Sequence, residues 1–231
     1  MIWRWACARR RKHINLWLDG IVGVVRKEDS MYLSAAIGCK APDRHERDEA
    51  VMSHELHDPG GKVRLKVKSE IRGDALFSEC GRYRRLLTRE WDGAEKDGYI
   101  LWIGMNPSTA AFNVDDPTVF KEQKFTRRWG YGRYVKCNVM DYRATNPKML
   151  LEQGVVPCTQ ENMQTIVEQA LGAEIVVMAY GSLHKKLAHH GQAVTDALRA
   201  AGVKLHALKI TNNGSPGHPL YLKDTSELIA Y

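Results

Sequence analysis

The chain has 231 residues, 44% hydrophobic and 26% charged, with a formal charge of +7 at neutral pH. That length holds one sizeable α/β domain, or a domain plus an appendage, and the composition is that of an ordinary globular protein. No run of about 18 apolar residues occurs, so neither a membrane-spanning helix nor a membrane partner is expected. The positive charge favours an anionic partner, nucleic acid first, without requiring one. Five scattered cysteines (Cys7, Cys39, Cys80, Cys137, Cys158) form no C-x-x-C pair, so no zinc or iron–sulfur site, and no other metal or cofactor, is expected. Reduced thiols suit a cytoplasmic protein. The cluster Arg9-Arg10-Arg11-Lys12 precedes an apolar stretch, but Asp19 interrupts it and no clean cleavage site follows, so export is not expected.

In chain order, residues 1–70 read as an N-terminal extension without a sustained period, and residues 71–231 as an α/β domain. The extension carries the charged run Asp43 to Glu49 and the linker signal His57-Asp58-Pro59-Gly60-Gly61. Internal Met31 and Met52 leave two readings of it: sequence upstream of the natural start, or a small strand-and-helix appendage. Phe77 to Trp91 predicts a hairpin turning at Glu79-Cys80-Gly81, and Tyr99 to Gly104 a buried strand. Asp116-Pro117-Thr118 predicts a helix start, with Asp116 as its cap, running to about Trp129. Tyr134 to Val139 predicts a strand, Glu161 to Leu171 a helix, and Glu174 to Tyr180 a third buried strand. His184 to Ala201 predicts a helix ended by Gly202, and Val203 to Ile210 a fourth strand.

Strands alternating with helices predict a mainly parallel sheet covered on both faces, with any ligand beyond the carboxyl ends of the strands. Those ends carry Gly104-Met105-Asn106-Pro107-Ser108-Thr109, Asn138 with Asp141-Tyr142-Arg143, Tyr180-Gly181-Ser182, and Ser215-Pro216-Gly217-His218-Pro219. Turn chemistry accounts for Gly, Pro, Asn and Asp at any one of them. Polar groups at all four predict a pocket.

Six motifs in this sequence match a bacterial and phage family of unknown function: Cys80 to Arg84, Asn106 to Ala110, Asp115 to Thr118, Arg128 to Gly132, Tyr142 to Pro147 and His218 to Leu222. Beyond that family, residues 76–231 resemble the uracil-DNA glycosylase superfamily. Gly104-Met105-Asn106-Pro107 is similar to its first motif, His218-Pro219-Leu220 to its second, and Asn138 with Arg143-Ala144-Thr145 to the strand between. The resemblance implies a three-layer α/β/α sandwich around a central, mainly parallel sheet, and a DNA glycosylase that excises a damaged, mismatched or modified base. Two departures bear on the substrate. Asn106 stands where the most active uracil enzymes have Asp, and His218-Pro219-Leu220 lacks the serine of the His-Pro-Ser-Pro form.

On this resemblance Asn106 would position the attacking water, and His218 would stabilise the departing base. Asp115 would serve as a base or help cap the helix, and Asn138 would read a base edge. Met105, Pro107, Ser108, Thr109, Tyr142, Arg143, Gly181 and Ser182 would line the substrate site, with Phe112 or Phe120 stacking on an extruded base. Arg127, Arg128, Ser215 and Lys185 would hold the DNA backbone. Two alternatives stand beside DNA as the partner: hydrolysis or transfer on a free nucleotide, and non-catalytic nucleic-acid binding.

Overall fold

Apolar runs of strand length, bounded by glycine and polar residues, bury both faces of the central strands and set the frame of the molecule. The computed structural model describes residues 64–231. The expected extension lies almost wholly outside the described residues. The strands are β1 (Leu65–Lys66), β2 (Arg72–Phe77), β3 (Arg84–Glu90), β4 (Ile100–Gly104), β5 (Val114–Asp115), β6 (Arg133–Asn138), β7 (Ile175–Met178), β8 (Leu205–Ala207) and β9 (Ile229–Ala230). The helices are α1 (Pro117–Arg128), α2 (Gln160–Gly172) and α3 (Ala188–Ala200).

A seven-stranded sheet runs β2-β3-β6-β4-β7-β8-β9, and β1 pairs with β5 in a separate antiparallel ribbon. Only the central β6-β4-β7-β8 block is parallel; the β2/β3, β3/β6 and β8/β9 pairings are antiparallel. This corrects the glycosylase-like expectation. The sheet is mixed, and three α-helices among the described residues are too few for a helix-rich sandwich around a parallel sheet. An apolar run reports burial on both faces but carries no information on the direction of the neighbouring strand, so the antiparallel additions were not legible.

Helix α1 covers one face, where Trp102 stacks on Trp129 with ring centroids 5.7 Å apart and donates its indole N–H to Thr126 at 3.0 Å. Helices α2 and α3 cover the other face through Ile166, Val167, Val194 and Leu198. Asp116 caps α1 by accepting from the Val119 N–H at 2.8 Å. Helix α3 begins four residues later than its pattern predicts. His184 organises a turn first, accepting the Lys186 N–H on Nδ1 and the Leu187 N–H on its carbonyl. No helix of the described residues is long and apolar enough to cross a membrane.

Asp141 ties the loop after β6 to α2, accepting from the Thr159 N–H at 2.9 Å and its hydroxyl at 2.6 Å. Burial pushes the Asp141 carboxyl up from 3.8 to about 6, despite those hydrogen bonds and Arg85 nearby. A folded-state pKa above the unfolded one means the native state binds the proton more tightly. Stability from this group is therefore highest below pH 4 and lost as pH rises toward 6. Asp141→Asn should flatten that part of the stability curve, measured by denaturant titrations from pH 4 to 7. An unchanged slope in the variant would assign the pH dependence elsewhere.

Candidate functional site

The loops beyond β4 and β6 continue the pairing of their strands. Val139 N–H donates to the Gly104 carbonyl, Met140 N–H to that of Met105, and Ala144 N–H to that of Pro107, each at 2.9 Å. Within this frame Asn106 Nδ2 donates to the Ala144 carbonyl at 2.7 Å and to that of Pro107 at 2.9 Å. The amide is thereby held in one orientation, with Oδ1 as its remaining acceptor.

Asn138, at the end of β6, is only 1% exposed, yet neither side-chain atom has a hydrogen-bond partner. Its backbone is fixed from the far side, where Asn162 Nδ2 donates to the Asn138 carbonyl at 2.9 Å and to the Val139 carbonyl at 3.2 Å. A buried amide without partners costs about 1–3 kcal/mol, so its presence calls for a reason. Ser108 Oγ and Thr109 Oγ1, on the loop after β4, are likewise buried without a partner. Gly104 lies beside Asn138 in the parallel register. A Cβ at Gly104 would come within 2.6 Å of Asn138 Oδ1 and 3.1 Å of Lys136 Nζ. Both side chains therefore lean across this glycine and lie within about 6 Å of each other.

Beneath them sits a buried charge network that was not expected from the sequence. Lys136 Nζ donates to Glu122 Oε1 at 2.8 Å and Oε2 at 2.7 Å, and the Tyr134 hydroxyl donates to Oε2 at 2.7 Å. Burial pushes the Glu122 carboxyl up, and Lys136 pulls it back. Arg89 Nε donates to Asp115 Oδ1 at 2.8 Å, and Gln123 Nε2 to Oδ2 at 2.7 Å. Both oxygens of Asp115 are thus engaged in holding β3 to β5 and α1. Arg84 donates to the Ala110 carbonyl. The bulge at Arg85, where β2 pairing skips a residue, returns Arg84 to the face shared with Leu87 and Arg89. The legible signal was the alternation Tyr134, Lys136, Asn138, which puts polar groups on one face of an otherwise buried strand.

The other expected site residues lie on the loops after β7 and β8. Gly181 has φ +70°, a conformation that favours glycine, and its α-carbon faces His218, whose Cβ would lie 3.3 Å from a Cβ there. His218 Nδ1 accepts from the Leu220 N–H at 3.4 Å, which leaves the proton of the neutral ring on Nε2. Its ring packs 5.4 Å from that of Tyr221. Ser182 Oγ accepts from Asn213 Nδ2 at 3.3 Å, joining the two loops.

The remaining expected residues divide. Met105 and Pro107 flank Asn106, Met105 half-buried and Pro107 buried. Tyr142 packs edge-on to Tyr83, and Arg143 donates to the Gly81 carbonyl while lying over Phe77, so both brace the β2–β3 turn. Phe112 and Phe120 are both exposed. Arg127 stacks 3.9 Å from the Trp91 ring centroid. Arg128 donates to the Asp224 and Ser226 carbonyls and to Glu227, which clamps the C-terminal segment to α1. Lys185 is exposed before α3, and Ser215 sits in the turn closed by Thr211. Among the described residues no group of three or more His, Cys, Asp or Glu side chains is placed to hold a metal ion.

The profile of one family, described as Protein of unknown function (DUF1643), matches residues 82–220. The chain belongs to this family. Asn106, Asn138 and His218 all fall within the part of the chain that the DUF1643 profile covers. No curated protein and no solved structure matches the chain.

Proposed function

We propose that this DUF1643 protein hydrolyses the N-glycosidic bond of a damaged, mismatched or modified base in DNA. The unpartnered amide of Asn138 carries the reading. One buried donor beside one buried acceptor is the complement of a base's amide or imide edge, and a base bound there would satisfy both. The resemblance of the Gly104 to Pro107 and His218 to Leu220 loops to glycosylase motifs supports the same chemistry at the level of sequence.

In this reaction a water oxygen bonds to C1′ of the sugar as the C1′–N bond breaks. The bonding pair leaves with the base, and the proton released by the water ends on the base or in solvent. Asn106 Oδ1, oriented through its Nδ2 bonds, accepts from the water and aims it. His218 donates through Nε2 to the oxygen on which negative charge develops. Lys136, paired with Glu122, lies across Gly104 from Asn138 and fixes a buried dipole beside the base edge. Asp115, held by Arg89 and Gln123, is assigned no step in the proposed reaction.

Labelled oligonucleotides carrying uracil, 5-hydroxymethyluracil, mismatches or other modified bases, treated with the protein and then hot alkali, test the proposal. Strand cleavage on at least one substrate is expected, lost by about 100-fold or more in both Asn106→Ala and His218→Ala. No cleavage on any substrate, or cleavage that survives both substitutions, overturns it.

A further inference from the structure

The ribbon formed by β1 and β5 presents a surface that includes none of Asn106, Asn138 and His218. From Arg64 to Lys68 the chain alternates exposed and half-buried positions, so Arg64, Lys66 and Lys68 project from one side while Leu65 and Val67 turn inward. Among the described residues Lys68 has an acidic partner, Glu70 at 3.6 Å, and Arg64 and Lys66 form no ion pair. Lys66 pairs with Val114, and Val67 N–H donates to the Asn113 carbonyl at 3.0 Å. The cationic row therefore runs directly beside the Phe112-Asn113 tip.

That tip is rigid. Ala111 and Val114 exchange backbone hydrogen bonds at 2.8 and 3.4 Å, closing a two-residue turn around Phe112 and Asn113. From below, Arg84 donates to the Ala110 carbonyl, and Arg89 donates to the Ala111 carbonyl at 2.5 Å and the Val114 carbonyl at 3.1 Å. Gly73 of β2 has no side chain because the Phe112 carbonyl occupies the space its Cβ would need. Two buried arginines and a glycine thus fix a loop whose outermost side chain, Phe112, is 56% exposed. The same loop carries the unpartnered Ser108 and Thr109 hydroxyls a few residues earlier, so the tip continues from the base site.

Resting on the DNA substrate proposed above, we infer that this ribbon binds the single strand that carries the target base. Phe112 stacks on an unpaired neighbouring base, and Arg64, Lys66 and Lys68 contact successive phosphates. A duplex fits the surface poorly, since its bases have no open face for Phe112. Stacking on an aromatic residue and a tracking row of cations are the two elements of single-strand recognition.

Fluorescence anisotropy with the full chain tests this, using a labelled single-stranded oligonucleotide of unmodified bases and its duplex, across a salt series. The single strand should bind at least 10-fold more tightly than the duplex. Phe112→Ala should weaken it about 5- to 150-fold, the range for one lost base stack. Arg64→Ala/Lys66→Ala/Lys68→Ala should lower the slope of log affinity against log salt by about 2, from about 0.7 per phosphate on a single strand. All four positions are at the surface, and unchanged unfolding midpoints will show that the variants are folded. Equal or tighter duplex binding, or affinity unmoved in both variants, overturns the inference. Base release scored on the same variants separates the two claims. Binding that follows Phe112 and the cationic row without any excision retains this inference and removes the glycosylase reading; excision with binding indifferent to them does the reverse.

Discussion

Lys136→Met should destabilise the folded chain by about 3–5 kcal/mol at pH 8, the typical result of removing one partner from a buried ion pair. The geometry leaves Glu122 no substitute. Its carboxylate is fully buried on α1 and holds the Lys136 ammonium through both oxygens at 2.7 and 2.8 Å. Only the Tyr134 hydroxyl remains once the ammonium is gone. Burial already drives the Glu122 carboxyl upward from 4.5, and Lys136 is the first influence that opposes it. In the variant the folded-state pKa rises further, so native protein binds a proton that the unfolded chain releases. The native state is then favoured at low pH, and stability falls as pH rises. The defect should therefore be smaller at pH 5 than at pH 8. Pairing Lys136→Met with Glu122→Leu should recover most of the loss, because the uncompensated charge goes with its partner. Guanidinium titrations of the two variants at both pH values provide the measurement. A single-variant loss below about 1 kcal/mol, or a defect that shrinks toward high pH, would mean that the pair is neutralised or hydrated in solution.

The same pair marks the boundary of what the sequence disclosed. Strands β4 and β7 were legible because Ile100 to Gly104 and Ile175 to Met178 are unbroken apolar runs, and α1 because Asp116-Pro117 is a strong start signal. The strand ends were legible in the same way, because Asn106, Asn138, Gly181 and His218 lie at the end of, or in the loops after, β4, β6, β7 and β8. Lys136 stood in plain view within Tyr-Val-Lys-Cys-Asn, but its partner Glu122 lies on another element, and pairings of that kind are written in three dimensions only. Asp115 read as a candidate base for the same reason, since nothing local announces Arg89 and Gln123 around it. Arg128 read as a phosphate contact, whereas the C-terminal segment supplies its acceptors from almost 100 residues away. The basic alternation from Arg64 to Lys68 fell inside a stretch read as irregular, because two ladder residues are too few to show a period.

Asn138→Leu should do what few substitutions at a binding site do, and make the empty protein more stable. Leucine approximates the shape of asparagine and exchanges a buried donor and acceptor, both unpartnered, for methyl groups. Removing that burden should add about 1–3 kcal/mol to the unfolding free energy. Base release should move the opposite way, falling roughly 5- to 150-fold, the worth of one bidentate amide-to-base pair. Opposite signs discriminate between roles. A structural amide, replaced, lowers stability and activity together; an amide retained for a ligand raises one and lowers the other, the trade-off expected where function and stability compete for a buried position. Thermal unfolding without DNA, paired with single-turnover cleavage, reads both. A less stable Asn138→Leu variant would mean that the amide is satisfied in solution, and unchanged cleavage by a more stable one would take the base edge away from Asn138.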